Sequence, residues 1–200
     1  MAGRGNMHKN ERNETVWDGV TPNECLSNPS ILRLAFNKSW VPAKEPLHAD
    51  IDVTKARVCG VGPGMAFANQ LLKRDTAVGV IGLVPCAIGG TTLNEWLPAA
   101  KAYYNEMLIR TYAALRASDG GQLRALLWFQ GESDAMVPSA VNGSYVKDIR
   151  KFQLELKLPS LSTVDANGSE LQGDSVHLTS TAQVHLGIEM ANAFLQMSHH

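Results

Sequence analysis

The chain contains 200 residues, 44% of them hydrophobic and 18% charged, which is the composition of one globular domain and excludes a disordered or fibrous chain. Lys and Arg number 18 against 19 Asp and Glu, so no excess of positive charge is present to bind a nucleic acid backbone or an anionic membrane. No apolar run reaches the roughly 20 residues of a membrane span, and the first residues lack the apolar stretch of a signal peptide. We therefore expect a cytoplasmic protein with one domain, residues 1–200, and no nucleic acid or membrane partner.

The chain changes character near Gly60. Residues before it are polar and interrupted by four prolines, which predicts long loops and one short strand, Ile31–Leu34. After it, apolar residues recur at helical spacing over residues 65–72, and a continuous apolar run follows over residues 78–84. This pattern predicts a helix followed by a buried strand.

The second half repeats this alternation of amphipathic segments and apolar runs. Its predicted elements are a helix over residues 93–117, a buried strand over 123–129, a helix near 145–156, a short strand over 161–164 and a closing helix over 179–196. Strands that alternate with helices imply an α/β fold, in which a parallel sheet is covered on both faces. The loops beyond the carboxyl ends of the strands should then share one rim, where such folds place their chemistry.

Neither a metal ion nor a nucleotide cofactor is expected. The three cysteines, Cys25, Cys59 and Cys86, are odd in number and widely spaced, which fits neither a disulfide framework nor a zinc site. The terminal His199–His200 pair is too isolated to hold a metal. The GVGPG run at residues 60–64 has no strand before it and no Lys-Ser/Thr after it, and its proline removes a backbone donor, so it does not indicate a phosphate site.

A D-x-x-H pattern, Asp174 to His177, lies in the last predicted loop of the rim. In acyl transfer a carboxylate holds one imidazole nitrogen so that the other can take a proton from a nucleophile, and a three-residue separation across a tight turn can bring the two side chains together. The pattern also fits a simpler structure, in which Asp174 caps the final helix and His177 faces water.

Two other loops of the rim supply candidate oxyanion donors. Gly89 and Gly90 follow a predicted strand, and their backbone N–H groups can point into the rim without a side chain in the way. A glycine turn needed only for its backbone angles explains the pair equally well. Gln130 ends the next predicted strand, where its amide could donate to the same oxyanion or could simply be a polar residue at a strand end.

The residues after Gln130 are Gly131, Glu132, Ser133 and Asp134. Glu132 and Asp134 could form an acid/base pair, but residues two apart in an extended loop diverge, which favours a positioning role or a solvated loop. Ser133 lies on the rim, but it lacks the following glycine of a G-x-S-x-G nucleophile elbow. Cys86 is a weaker nucleophile candidate, because a buried thiol is normally inert.

Five motifs, in this order along the chain, carry a family resemblance. They are EPLH (45–48), CGVGPGMAFA (59–68), VIGLVPCAIGGTTLNEW (80–96), WFQGESD (128–134) and DSVHLT (174–179). Together they resemble the plant carbohydrate esterases of the sialate O-acetylesterase-like branch of the SGNH hydrolases. The resemblance implies a flavodoxin-like three-layer α/β/α sandwich with a parallel sheet. It also implies removal of acetyl groups from carbohydrate hydroxyls by a Ser-His-Asp triad, without metal or cofactor.

The resemblance also assigns roles to residues of this chain. Asp174 and His177 would be the orienting acid and the general base, and Gly89 or Gly90 would donate a backbone N–H to the oxyanion. Gln130 would be a side-chain donor to that oxyanion, and Glu132 would belong to the loop that shapes the hole. The substrate would be an acetylated carbohydrate or a small acetyl ester.

Two departures from the family pattern affect these expectations. The family's nucleophilic serine lies in a GQSNMAGRG motif at the end of the first strand, whereas this chain begins with MAGRG at residues 1–5. We therefore assign no nucleophile, expect the first strand to be missing from this sequence and expect the 200 residues to be inactive alone. A non-catalytic protein that binds carbohydrate, or another partner, through the same pocket is the alternative.

The second departure lies between Asp134 and Asp174. These 40 positions contain one predicted helix and one short strand, whereas family members place an additional strand and helix there, and a parallel crossover needs a dozen or more residues. We expect an internal deletion. Two absent strands would leave sheet edges and apolar faces uncovered.

Overall fold

The computed structural model describes residues 3–53, 58–135, 150–151 and 153–198, and these form a mixed α/β structure. The strands are β1 (Met7–Lys9), β2 (Thr15–Trp17), β3 (Ile31–Leu34), β4 (Trp40–Pro42) and β5 (Ile81–Leu83). The helices are α1 (Pro63–Arg74), α2 (Ala102–Ala117), α3 (Glu132–Ala135) and α4 (Ser180–Ser198), and short 3-10 turns occur at Asn23–Cys25, Thr76–Val78 and Leu93–Trp96. Within these ranges no helix combines the length and apolarity that a bilayer crossing requires.

The larger sheet has three strands in the order β4-β3-β5. The β3–β4 pair is antiparallel, with Leu32 opposite Pro42, and the β3–β5 pair is parallel, with Ile31 opposite Ile81. β1 and β2 form a separate antiparallel hairpin. The predicted strand Ile31–Leu34 is therefore confirmed, and β5 lies in the second half of the run predicted over residues 78–84.

Helices α1 and α4 pack closely against each other, and both were predicted from helical periodicity. α1 begins with a proline in its first turn and ends with Lys73 and Arg74, which suit the negative end of a helix dipole. Phe67 of α1 meets Phe194 of α4 edge to face at a centroid distance of 6.1 Å. A Cβ on Gly187 would lie 2.3 Å from the Pro63 carbonyl oxygen, so the two backbones approach closely only because position 187 carries no side chain.

Arg110 attaches α2 to the ends of the sheet strands. Its guanidinium is buried and donates to the carbonyl oxygens of Leu34 at 2.7 Å, Ala35 at 3.3 Å and Pro85 at 2.8 Å. Arginine suits this position because its planar fork offers several donors at once. The contact fixes the start of the loop that carries Gly89 and Gly90.

The helix predicted over residues 93–117 is interrupted. A 3-10 turn at Leu93–Trp96, begun by a capping box between Thr92 and Glu95, precedes α2, which starts only at Ala102. Pro98 explains the break, because proline lacks an N–H and disfavours helical angles in the residue before it. The prediction is confirmed for residues 102–117, which form α2, but the prediction of one continuous helix over residues 93–117 was wrong.

Two predicted strands are not present as strands. Residues 123–129 have no ladder partner in the described part of the chain, and Leu123 and Leu126 are 64% and 67% exposed. Residues 161–164 also lack strand pairing there. An apolar run indicates burial, but a strand forms only where a neighbour accepts its hydrogen bonds, which periodicity does not specify. The helix predicted near 145–156 lies largely outside the described residues, although residues 150, 151 and 153–155 are helical.

Candidate active site

The Asp174–His177 loop is a tight turn held by a single carboxylate. Oδ1 of Asp174 accepts the backbone N–H groups of Val176 at 3.0 Å and His177 at 2.9 Å. Oδ2 lies 2.6 Å from Nδ1 of the His177 ring. Ser175, between them, has φ +58°, a left-handed conformation that tightens the turn. The carboxylate therefore shapes the loop and orients the imidazole at the same time.

Asp174 does not cap the final helix. The hydroxyl of Thr179 accepts the N–H of Ala182 at 3.2 Å, so this threonine caps the first turn of α4. Asp174 is thus left to its contacts with His177 and Val176, and the simpler explanation of the D-x-x-H pattern as a helix cap is wrong.

The contacts of Asp174 keep it ionised. Partial burial of the carboxyl raises its pKa, but hydrogen bonds from the His177 N–H and ring and from the Val176 N–H outweigh that effect and lower the pKa of Asp174 to about 2. A carboxylate at Nδ1 favours the tautomer with the proton on that nitrogen. Nε2 is then the basic atom of His177.

The glycine loop is anchored by a buried aspartate. The N–H of Gly89 donates to Oδ2 of Asp52 at 3.0 Å, and Asp52 is only 2% exposed. Gly90, with φ +67°, adopts the left-handed conformation that favours glycine. Thr91 closes the turn through a 2.7 Å bond from its hydroxyl to the Ile88 carbonyl. The Gly89 N–H therefore already has an acceptor, the Asp52 carboxylate. Gly90 is required for a different reason, because its positive φ forms the turn.

Gln130 joins two of the predicted loops. Its amide donates to Oδ2 of Asp134 and, at 3.3 Å, to the Thr91 carbonyl. The same aspartate accepts the Leu93 N–H at 3.1 and 3.2 Å. Gln130 and Asp134 thus brace the loop at 130–134 against the loop at 91–93.

These loops line one groove with a volume of about 1290 Å³. Five of the six predicted site residues lie on it, namely Gly89, Gly90, Gln130, Glu132 and His177, whereas Asp174 stands behind His177. Ser133 and Cys86 also line the groove. Burial raises the pKa of the Cys86 thiol, which keeps this thiol protonated and a poor nucleophile.

The N-terminal segment reaches the same groove. Gly60 donates to the Gly3 carbonyl at 2.8 Å, and Gly5 and Val61 exchange two backbone bonds of 2.9 and 3.0 Å. A Cβ on Gly3 would lie 2.3 Å from the Gly62 nitrogen, so only glycine allows this approach. Arg4, held between these contacts, lines the groove with His177.

Sequence reasoning missed Asp52, Asp134 as the partner of Gln130, and Arg110. Asp52 and Arg110 share no short motif with their partners, since Asp52 and Gly89 are 37 positions apart and Arg110 contacts the end of β3 about 75 positions away. Asp134 lies four positions after Gln130 in the WFQGESD motif, but the motif alone did not show that the two side chains bond to each other. Across the described residues no three His, Cys, Asp or Glu side chains converge to hold a metal ion.

Comparison with known proteins points to one family. A family model described as "Carbohydrate esterase, sialic acid-specific acetylesterase" matches residues 1–142 and 137–196. A probable carbohydrate esterase of Arabidopsis thaliana is 43% identical over 229 aligned positions, which cover 98% of this chain and 86% of that protein. The X-ray structure of the same Arabidopsis protein superposes with a TM-score of 0.85 at 41% identity, over 98% of this chain and 93% of that one. The match of a family model along nearly the whole sequence, together with this close relative, shows that the chain belongs to the carbohydrate esterase family of sialic acid-specific acetylesterases.

Proposed function

We propose that this protein is built for the hydrolysis of acetyl esters on carbohydrate hydroxyls, with His177 as general base and Asp174 as the acid that orients it. The observation that carries this proposal is the 2.6 Å contact between Nδ1 of His177 and Oδ2 of Asp174 on the wall of a large groove. Family membership supplies the substrate class, an acetylated carbohydrate or a small acetyl ester. No metal or cofactor is required by this chemistry.

The reaction follows from this geometry in two half-reactions. Nε2 of His177 takes the proton of a serine hydroxyl as its oxygen attacks the acetyl carbonyl, and the Asp174 carboxylate stabilises the imidazolium that forms. The imidazolium then protonates the departing sugar oxygen, which leaves an acetyl-serine. Water, deprotonated by the same Nε2, then attacks the acetyl carbonyl; the bond to the serine oxygen breaks, the imidazolium returns its proton to that oxygen, and acetate is released.

We assign the oxyanion contact first to the Gly90 N–H. The Gly89 N–H is bonded to Asp52, and both donors of the Gln130 amide have acceptors. The 3.3 Å bond to Thr91 is the weaker of the Gln130 contacts, so this bond would exchange for the oxyanion when substrate binds. Glu132, at the start of α3, shapes the wall of the groove beside it.

The proposed nucleophile is the serine that the family carries two positions before MAGRG, in GQSNMAGRG. Gly3 and Gly5 are bonded to residues 60 and 61, and Arg4 lines the groove that His177 also lines, which supports a nucleophile contributed from this part of the protein. The 200 residues do not include this serine, and we propose that they do not hydrolyse acetyl esters by themselves.

We also propose that the family's three-layer α/β/α sandwich is shortened within this chain. The 229 aligned positions exceed the 200 residues, so at least 29 of them face gaps in this chain. The family model matches in two pieces that meet at residues 137–142, inside the interval where a strand and helix were expected to be deleted. The run at 123–129, which has no strand partner among the described residues, fits the loss of its neighbour.

The test compares p-nitrophenyl acetate hydrolysis by four proteins. These are the 200-residue chain, its His177→Ala variant, the chain extended by an apolar strand and Gly-Gln-Ser-Asn, and the same extension with alanine in place of the serine. Activity in the serine extension alone supports the proposal. Activity of the unextended chain that His177→Ala abolishes would contradict it and point to Ser133, which Ser133→Ala would then check.

A non-catalytic carbohydrate-binding protein is the second candidate, favoured by one observation: the groove is present while the motif serine is not among the 200 residues. Calorimetric titration of the unextended chain with an acetylated xylo-oligosaccharide distinguishes the two. Binding by the folded chain, together with no hydrolysis by the serine extension, would favour the binding protein over the esterase.

A further inference from the structure

Gln172 bonds to two backbone segments beside the candidate base. Its side-chain Nε2 donates to the Arg4 carbonyl at 2.6 Å and to the Leu178 carbonyl at 2.8 Å. Its backbone N–H donates to the His177 carbonyl at 2.7 Å. The residue on its N-terminal side, Leu171, pairs with Leu178 as an isolated bridge. A single residue thus bonds to the carbonyls of two consecutive residues, His177 and Leu178, and to the N-terminal segment, which is 168 positions away in sequence.

The chemistry of this position requires an amide. A glutamine NH₂ carries two hydrogens, and here each has a carbonyl acceptor on a different segment. A carboxylate of the same shape would have no hydrogen to donate and would face two carbonyl oxygens. A leucine of similar volume would leave both carbonyls without this partner.

The N-terminal segment does not depend on Gln172 for its attachment. Gly3 and Gly5 are held by three backbone bonds to Gly60 and Val61. The bond from Gln172 to Arg4 therefore adds little that anchors the segment to the core. Instead, it sets how far the His177 loop stands from that segment.

We propose that Gln172 is a positioning residue, which fixes the separation between His177 and the Gly3–Gly5 segment and keeps the His177 ring on Asp174. This inference rests on the proposed function in one respect, since the nucleophile is taken to precede Gly3–Gly5. Loss of Gln172 should loosen the loop without unfolding the protein.

The test uses the Nδ1 proton of His177, which lies in a 2.6 Å contact with Asp174 and should give a downfield NMR signal that exchanges slowly with water. The 200-residue protein, Gln172→Leu and the matched control Gln196→Leu are compared at pH 7, and His177→Gln assigns the signal. Gln196 is exposed near the end of α4. The experiment needs no substrate, so failure of the proposed hydrolysis would not affect its outcome.

We expect the Nδ1 proton of Gln172→Leu to exchange about tenfold faster or more, given the loss of two hydrogen bonds, with an unchanged circular dichroism spectrum. Gln196→Leu should match the unsubstituted protein. An unchanged exchange rate in folded Gln172→Leu would overturn the inference.

Should Gln172→Leu not fold, Gln172→Glu decides. Its ionised carboxylate cannot donate at pH 7, whereas the protonated carboxyl at pH 4 regains one donor. A positioning role predicts that the Nδ1 proton of Gln172→Glu exchanges faster than that of the unsubstituted protein at pH 7. This difference between the two proteins should narrow at pH 4, provided that Gln172→Glu is folded at both pH values. If Gln172→Glu and the unsubstituted protein have the same exchange rate at each pH, or if Gln172→Glu folds only at pH 4, then Gln172 has a purely structural role and the proposal is overturned.

Discussion

Glu45 should make the stability of this protein fall as pH rises through the neutral range. Its carboxyl is only 6% exposed and accepts the N–H groups of Leu47 at 3.0 Å and Gly62 at 3.4 Å. Burial raises its pKa from 4.5 to about 7, and the two N–H contacts oppose that rise only in part. Titration of the Glu45 carboxyl should therefore be visible in folding experiments near neutral pH.

The direction follows from proton linkage. The folded protein binds the Glu45 proton more tightly than the unfolded chain, so this stabilisation is complete below about pH 4.5 and is lost as pH rises to about 7. A shift of this size corresponds to about 3 kcal/mol in the free energy of unfolding. Glu45→Gln removes the titration, so the free energy of unfolding should change less between these pH values.

Urea denaturation at half-unit steps from pH 4.5 to 7.5 measures this effect. The difference between the unsubstituted protein and Glu45→Gln should shift by about 3 kcal/mol across the range, even though the amide also alters the contact with Gly62. Glu11→Gln, an exposed glutamate to glutamine change, is the matched control. Parallel pH profiles for the protein and Glu45→Gln would show that Glu45 titrates normally and would refute the argument.

Three further changes test the site and its supports. Asp174→Asn should lower the free energy of unfolding by about 1 kcal/mol at pH 6, a value reduced for the exposure of the pair. This difference should vanish as pH falls from about 4 to 2, where Asp174 protonates in the folded state. A difference that persists at pH 2 in urea denaturation would contradict this expectation. Arg110→Met leaves three carbonyls without their buried donor and should lower the free energy of unfolding by about 3 kcal/mol in urea denaturation. The exposed Arg116→Met should lower it little. Similar losses for the two variants would contradict a stabilising role for the Arg110 hydrogen bonds. Gly187→Ala should lower the melting temperature, because its Cβ would lie 2.3 Å from a carbonyl oxygen of α1. Gly173→Ala, with open space around the new Cβ, should leave the melting temperature unchanged. Equal melting temperatures for the two variants would show that α1 and α4 can move apart without loss of stability.

Elements that depend on local pattern were predictable. The spacing of Met65, Phe67 and Leu71 predicted α1, and the stripe along residues 179–196 predicted α4, because a helix satisfies its own backbone hydrogen bonds and needs only one apolar face. The break at Pro98 was also legible in principle, since proline disfavours a helical residue before it. The run at 123–129 was not, because a strand exists only with a neighbour.

The sequence alone determined the composition class, the two principal helices, strand β3 and the Asp174–His177 pair, since three positions across one turn keep these two side chains together. Only the tertiary structure decided which groups support the loops of the site: Asp52 on the Gly89 N–H, and Gln172 on the Arg4 and Leu178 carbonyls. These partners are brought together by packing between distant segments, and no spacing in a single chain specifies a contact across 37 or 168 positions. Short motifs therefore predict contacts between residues close in sequence, whereas the geometry of the site depends on how the loops pack against one another.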